Sequence, residues 1–128
     1  MSFYLSREIH DSFDAVLLNL ETLLHENNYL IAANIDVQGA LKNKLDVDLA
    51  QIRIIGTNTP RVGYQLFSSD PKVGVLLPFS IVLHALSKNN VEVTMINPEW
   101  LFRSVDNVAI KDLAGEIKVV FKEILEKL

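Results

Sequence analysis

The longest apolar run in the chain is Val73 to Leu86, interrupted only by Gly74, Pro78, Ser80 and His84. It is too short and too broken to cross a bilayer as a helix, which takes about 20 apolar residues. Its β-branched content suits a strand buried on most of both faces, in two segments hinged at Pro78. The residues before it read as the lid and flank of a sheet. The residues after it read as the sheet's completion and a closing helix.

The flanking pattern supports this. Phe3, Leu5, Arg7 and Ile9 alternate with Tyr4, Ser6, Glu8 and His10, the period of a strand over residues 3–9. Asp11 or Ser12 can cap the next helix, because a short side-chain oxygen accepts a free N–H of a first turn. Phe13, Val16, Leu17, Leu20, Leu23 and Leu24 then recur at three- and four-residue steps, predicting an amphipathic helix over 12–27 that Asn27 and Asn28 end. A second strand is expected over 29–36, a single helical turn over 37–45, and a third strand over 49–55 ended by Gly56. Thr57-Asn58-Thr59-Pro60 is the clearest helix start, since proline fits a first helical position. Asp70-Pro71 stops that helix. After the central run, Ser87 to Asn90 is a turn, and Val91, Val93 and Met95 mark a strand that pairs back as a hairpin. Residues 99–106 form a linker carrying Trp100 and Phe102. Ile110 to Leu128 gives a closing helix over 107–127, capped by Asp106 and weakened at Gly115. The order is β-α-β-(short α)-β-α-β-β-α, and the fold class is α+β: a mostly antiparallel sheet with helices on one face.

Composition narrows the function. A chain of 128 residues is expected to be one domain with a sizeable core. It carries 12 basic and 16 acidic residues, for a net charge of −4, and its Lys and Arg are scattered. Nucleic acid is therefore not an expected partner, because backbone binding rests on clustered positive charge. With no cysteine, thiolate catalysis, disulfides and zinc–thiolate sites are excluded within the chain. No basic segment followed by an apolar one opens the sequence, so a cytoplasmic location is expected, with no membrane partner. A hydrophobic fraction of 49% is high for so small a domain and points to further buried surface, such as a homodimer interface.

Several residue sets resemble a known family: Asn34-Ile35-Asp36, Ala40-Leu41, Lys44-Leu45, Ile54-Ile55-Gly56, Asn58-Thr59-Pro60, Tyr64-Gln65 and, above all, Gly74-Val75-Leu76-Leu77-Pro78. In this order and spacing they resemble the domain of unknown function 302 family, from the first strand to about Asn97. The resemblance implies a TATA-binding-protein-like α+β sheet and a tendency to dimerise; it implies neither DNA binding nor an agreed activity. Many members carry a cysteine directly after the proline of the Leu-Leu-Pro segment, where this chain has Phe79.

Candidate sites are few. The helix start at Asn58, Thr59 and Arg61 offers free N–H groups and a positive dipole end to a carboxylate or phosphate; simple capping is the preferred reading. Tyr64 could line a cleft beside it. The Pro78 bend with Ser80 could open a pocket, but Ser80 has no nucleophile-elbow context. His84 is polar in an apolar strand, and a satisfied or outward-facing ring is the preferred reading. His10 and His25 have no metal-ligand spacing. Asp46 and Asp48 could face a cation but supply only two ligands. No catalytic residue, metal site or cofactor is assigned. The expected function is a dimeric ligand-binding or interaction module without catalysis of its own. The alternative is an enzyme or anion-binding protein acting on a small acidic molecule, at a cleft between the Asn58–Pro60 helix start and the Pro78 bend.

Overall fold

The computed structural model describes residues 1–128. Five strands, β1 (Tyr4–Ile9), β2 (Leu30–Asp36), β3 (Ile52–Asn58), β4 (Phe79–Ser87) and β5 (Asn90–Ile96), form one sheet in the order β1-β5-β4-β3-β2. Every neighbouring pair is antiparallel. The helices are α1 (Phe13–Glu26), α2 (Val37–Leu45), α3 (Pro60–Ser69), α4 (Pro98–Leu101) and α5 (Val108–Lys127). No helix is long and apolar enough to cross a membrane.

Strand alternation decides which face is covered. Phe79, Ile81 and Leu83 of β4 and Val91, Val93 and Met95 of β5 are fully buried in the core. They meet the apolar faces of α1 (Phe13, Val16, Leu20, Leu24) and α5 (Ile110, Leu113, Ile117, Phe121, Ile124). An antiparallel sheet can leave its other face without a cover, and Ser80, Val82 and His84 lie on that face. An aromatic cluster anchors the core: the Phe79 ring meets Phe102 at 6.1 Å and Phe121 at 5.6 Å, both edge-on, and Tyr29 lies 5.6 Å from Phe121. Edge-on contacts of this kind add to the area term. Phe79, the residue after Pro78, thus packs on two aromatic rings of the core.

Capping fixes several boundaries. Ser12 caps α1, accepting from the Ala15 N–H, and Asn28 leaves the helix with φ 62°. Arg7 on β1 donates to the carbonyls of Leu125, Glu126 and Leu128, placing a cation on the negative end of α5. The cap of α5 is Asn107, which accepts from the Ile110 N–H, and not the expected Asp106. Two further expectations are corrected. The stretch 37–45 is a nine-residue helix and not a single turn, begun by Asp36 accepting from the Gly39 N–H. The linker after Asn97 contains α4, with Asn97 as cap; Phe102 is buried, the Arg103 guanidinium lies 3.9 Å over the Trp100 ring, and Phe3 meets that ring at a tilt.

The larger correction falls on the central run. Only its second half is strand. Pro71–Leu76 is a 3-10 segment started by Asp70, whose carboxylate accepts from the Lys72 N–H. Gly74 lets this segment approach α3, since a Cβ there would meet the Phe67 ring at 2.7 Å. Gly56, expected to end the third strand, lies inside β3, opposite Ser80. A Cβ on Gly56 would meet Pro78 Cγ at 2.7 Å and Ala33 Cβ at 3.2 Å, so glycine there allows a close approach and marks no turn.

Candidate functional site

The start of α3 follows directly on the end of β3. β3 ends at Asn58, and Thr59 follows in extended backbone at the cap position. Pro60 then fixes the first helical residue, and the Gly63 N–H closes the first turn on the Thr59 carbonyl at 2.9 Å. Thr59 occupies the cap position, yet its side chain makes no capping bond. Asn58 does not cap either: its Oδ1 accepts from the Thr59 N–H at 2.9 Å. No side chain caps the Arg61 and Val62 N–H groups, which are first-turn donors of the kind that find no partner within their own helix.

Beside this turn lies a cavity of about 210 Å³, walled by Val62, Ile117 and Val120 and rimmed by Thr59, Arg61, Glu116 and Tyr29. Tyr29 enters from the end of α1, where the Tyr29 N–H bonds the Leu24 carbonyl and turns the chain towards β2. Its ring is 5% exposed, packed on Phe121, and its hydroxyl makes no hydrogen bond to the protein. Thr59 is 9% exposed, and its hydroxyl is likewise unpaired. No fully enclosed side-chain oxygen or nitrogen in the protein lacks a partner; the unpaired oxygens of Tyr29 and Thr59 are therefore open to solvent, and both residues line the cavity. Burial pushes the Tyr29 phenol up to about 12, against a smaller lowering by the Arg61 charge. The hydroxyl is thus a neutral donor throughout the physiological range. Arg61 stands 3.8 Å from Glu116, with both side chains largely in solvent, and also donates to Gln65 Oε1. Such an exposed pair is weak and leaves the guanidinium able to turn to another partner.

The other sequence candidates lie elsewhere. Tyr64 is exposed and borders a separate groove between α3 and α5, with Asp112 and Leu113 across from it. Pro78 packs on Gly56, and Ser80 pairs opposite Gly56 on the uncovered face of the sheet. His84 lies on that face too, across from Glu92 on β5 and Ile52 on β3. Thr57 pairs opposite Phe79, so the next residues along, Asn58 and Pro78, lie across from each other at the ends of β3 and β4, whereas Thr59 and Arg61 line the cavity beside α5. Asp46 and Asp48 are both held by the Lys42 ammonium, at 2.9 and 3.3 Å. His10 is paired with Asn90 at 2.8 Å. Nowhere do three or more His, Asp or Glu side chains group as a metal site would need. Tyr29 was not legible as a site residue, because its relation to Thr59 and Arg61 exists only once α1, β3 and α5 have packed.

The edges of the sheet differ. β1 carries Ser6, Arg7 and Glu8 and is tied to the end of α5. β2 is the opposite edge, paired only to β3, and its sequence Leu-Ile-Ala-Ala-Asn-Ile-Asp carries no charge before its last residue. Leu30 is 57% and Ile35 49% exposed.

The fold recurs in a solved structure, the crystal structure of an uncharacterized conserved DUF302 protein from Bacillus stearothermophilus. The two share 18% sequence identity, with a TM-score of 0.89 over 98% of each chain. At that identity the likeness is one of fold. Among curated proteins no match is found. The family model described as domain of unknown function DUF302 matches residues 5–128, and the chain belongs to that family.

Proposed function

We propose that this protein is a non-catalytic binding module that holds a small acidic molecule beside the first turn of α3. The observation that carries the reading is the set of hydrogen-bond donors at one cavity: two main-chain N–H groups that no side chain caps and two unpaired hydroxyls on largely buried residues, next to a guanidinium. A helix N-terminus favours an anion, and a nucleophile with a base in reach, which catalysis of acyl transfer needs, is not assembled there. A thermal-shift screen against carboxylates, phosphates, nucleotides and divalent metals tests it. A saturable rise in Tm with one class of small anion supports the reading, because a ligand bound only by the folded form stabilises it. A flat response to every anion removes it.

The β2 edge favours a second, compatible reading, a homodimer joined β2 to β2. An apolar edge strand without proline or lysine is a template for another strand, and here only the bulge between Ile31 and Ala33 blunts it. The partner that suits it is a second copy. A two-fold axis pairs the strands antiparallel, which sets the Asp36 carboxylates at opposite ends of the junction. Sedimentation at micromolar concentration is expected to give twice 14.4 kDa; a clean monomer overturns this reading.

A further inference from the structure

We infer that the ligand of the α3 cavity is a singly charged carboxylate on a small organic acid, its oxygens received by the Arg61 and Val62 amides and by the Tyr29 and Thr59 hydroxyls. This rests on the ligand-binding reading above and specifies its chemistry.

Donor type comes first. Both main-chain groups can only donate, and a neutral phenol and a threonine hydroxyl can each turn a proton towards an acceptor. Burial keeps the Tyr29 proton in place, so the phenol does not compete as an anion. Four donors around one space suit two carboxylate oxygens, which together offer about four lone-pair positions.

Charge comes second. The helix end contributes roughly half a positive charge. Arg61 adds one, and Glu116, 3.8 Å away, offsets it. The sum, about half a positive charge, matches a monoanion and falls short of a phosphate dianion.

Size comes third. At about 210 Å³ the cavity lies below the roughly 300–1,000 Å³ of sites for drug-sized ligands. Its Val62, Ile117 and Val120 wall provides an apolar surface for a short carbon chain.

Amide chemical-shift titration of the full chain tests this, with acetate, propionate and inorganic phosphate as probes and chloride at equal ionic strength as the control. The expected result is a saturable movement of the Arg61 and Val62 amides with acetate and propionate, and weaker binding of phosphate. Tyr29→Phe and Thr59→Val each remove a hydroxyl that holds nothing in the protein, so the fold persists; each is expected to weaken the monocarboxylates about tenfold, the effect of losing a hydrogen bond to a charged group. Unchanged monocarboxylate affinity in Tyr29→Phe, or saturable shifts confined to other amides, overturns this site while leaving a ligand-binding module in place. Tighter binding of phosphate overturns the monocarboxylate assignment alone. No saturable shift with any probe sinks both the assignment and the reading beneath it.

Discussion

At the scale of single residues, the protein is governed by close approaches that one added atom would spoil. Gly56 lies between Pro78 and Ala33, and a methyl group there would stand 2.7 Å from a ring carbon. Gly56→Ala is expected to destabilise by about 1–3 kcal/mol, the range for overpacking, measured by urea denaturation. Tyr29 carries a prediction in pH. Its folded pKa of about 12 lies above the ordinary value of 10.0. The unfolded chain therefore loses this proton first as pH rises, so the unfolded state binds fewer protons than the native one between pH 10 and 12. Stability falls across that window, by about 2–3 kcal/mol if the full shift is expressed. The difference between wild type and Tyr29→Phe in denaturation at pH 9 and near pH 12 isolates the effect, because the groups they share cancel. Identical slopes would show that the phenol is not buried as described.

At the scale of elements, the periodic segments were the legible ones. α1 and α5 come from apolar residues at three- and four-residue steps, and β1 and β5 from strict alternation, because each pattern is local and reports one buried face. The Asn-Thr-Pro start placed α3. The central run misled because composition does not separate a buried strand from a helical turn: Val73 and Val75 are β-branched, yet the Asp70 cap, Pro71 and the contact of Gly74 with Phe67 hold them in a 3-10 segment. Gly56 misled for a related reason, its role being contact across the sheet. The face taken by Ser80 was not legible because strand parity was not known: with Phe79 and Ile81 in the core, Ser80 must face away from the helices. Within α5, by contrast, Gly115 meets nothing within 4 Å of where a Cβ would stand. Gly115→Ala is expected to stabilise by about 1 kcal/mol, the difference in helix propensity, read as a higher denaturation midpoint.

At the scale of the whole molecule, the helices cover one face of the sheet, and one edge, β2, is left apolar and open. The ligand reading and the dimer reading use different surfaces, the α3 cavity and the β2 edge, and can fail separately. Ile35→Lys places a charge on the exposed side of the edge strand without touching the core. It is expected to convert a species of twice 14.4 kDa into a monomer in sedimentation, with the α3 site intact. A variant that still sediments as a dimer would move the interface off β2.

The binding claim is tested most directly by thermal unfolding of wild type and Arg61→Ala, each in acetate and in chloride at equal ionic strength. Arg61 is largely exposed and holds only Gln65 and Glu116, so its loss leaves the core unchanged. The account predicts a saturable acetate-specific rise in Tm for the wild type that Arg61→Ala abolishes or strongly reduces. Equal Tm values in acetate and chloride for the wild type, or the same rise in both proteins, would contradict it.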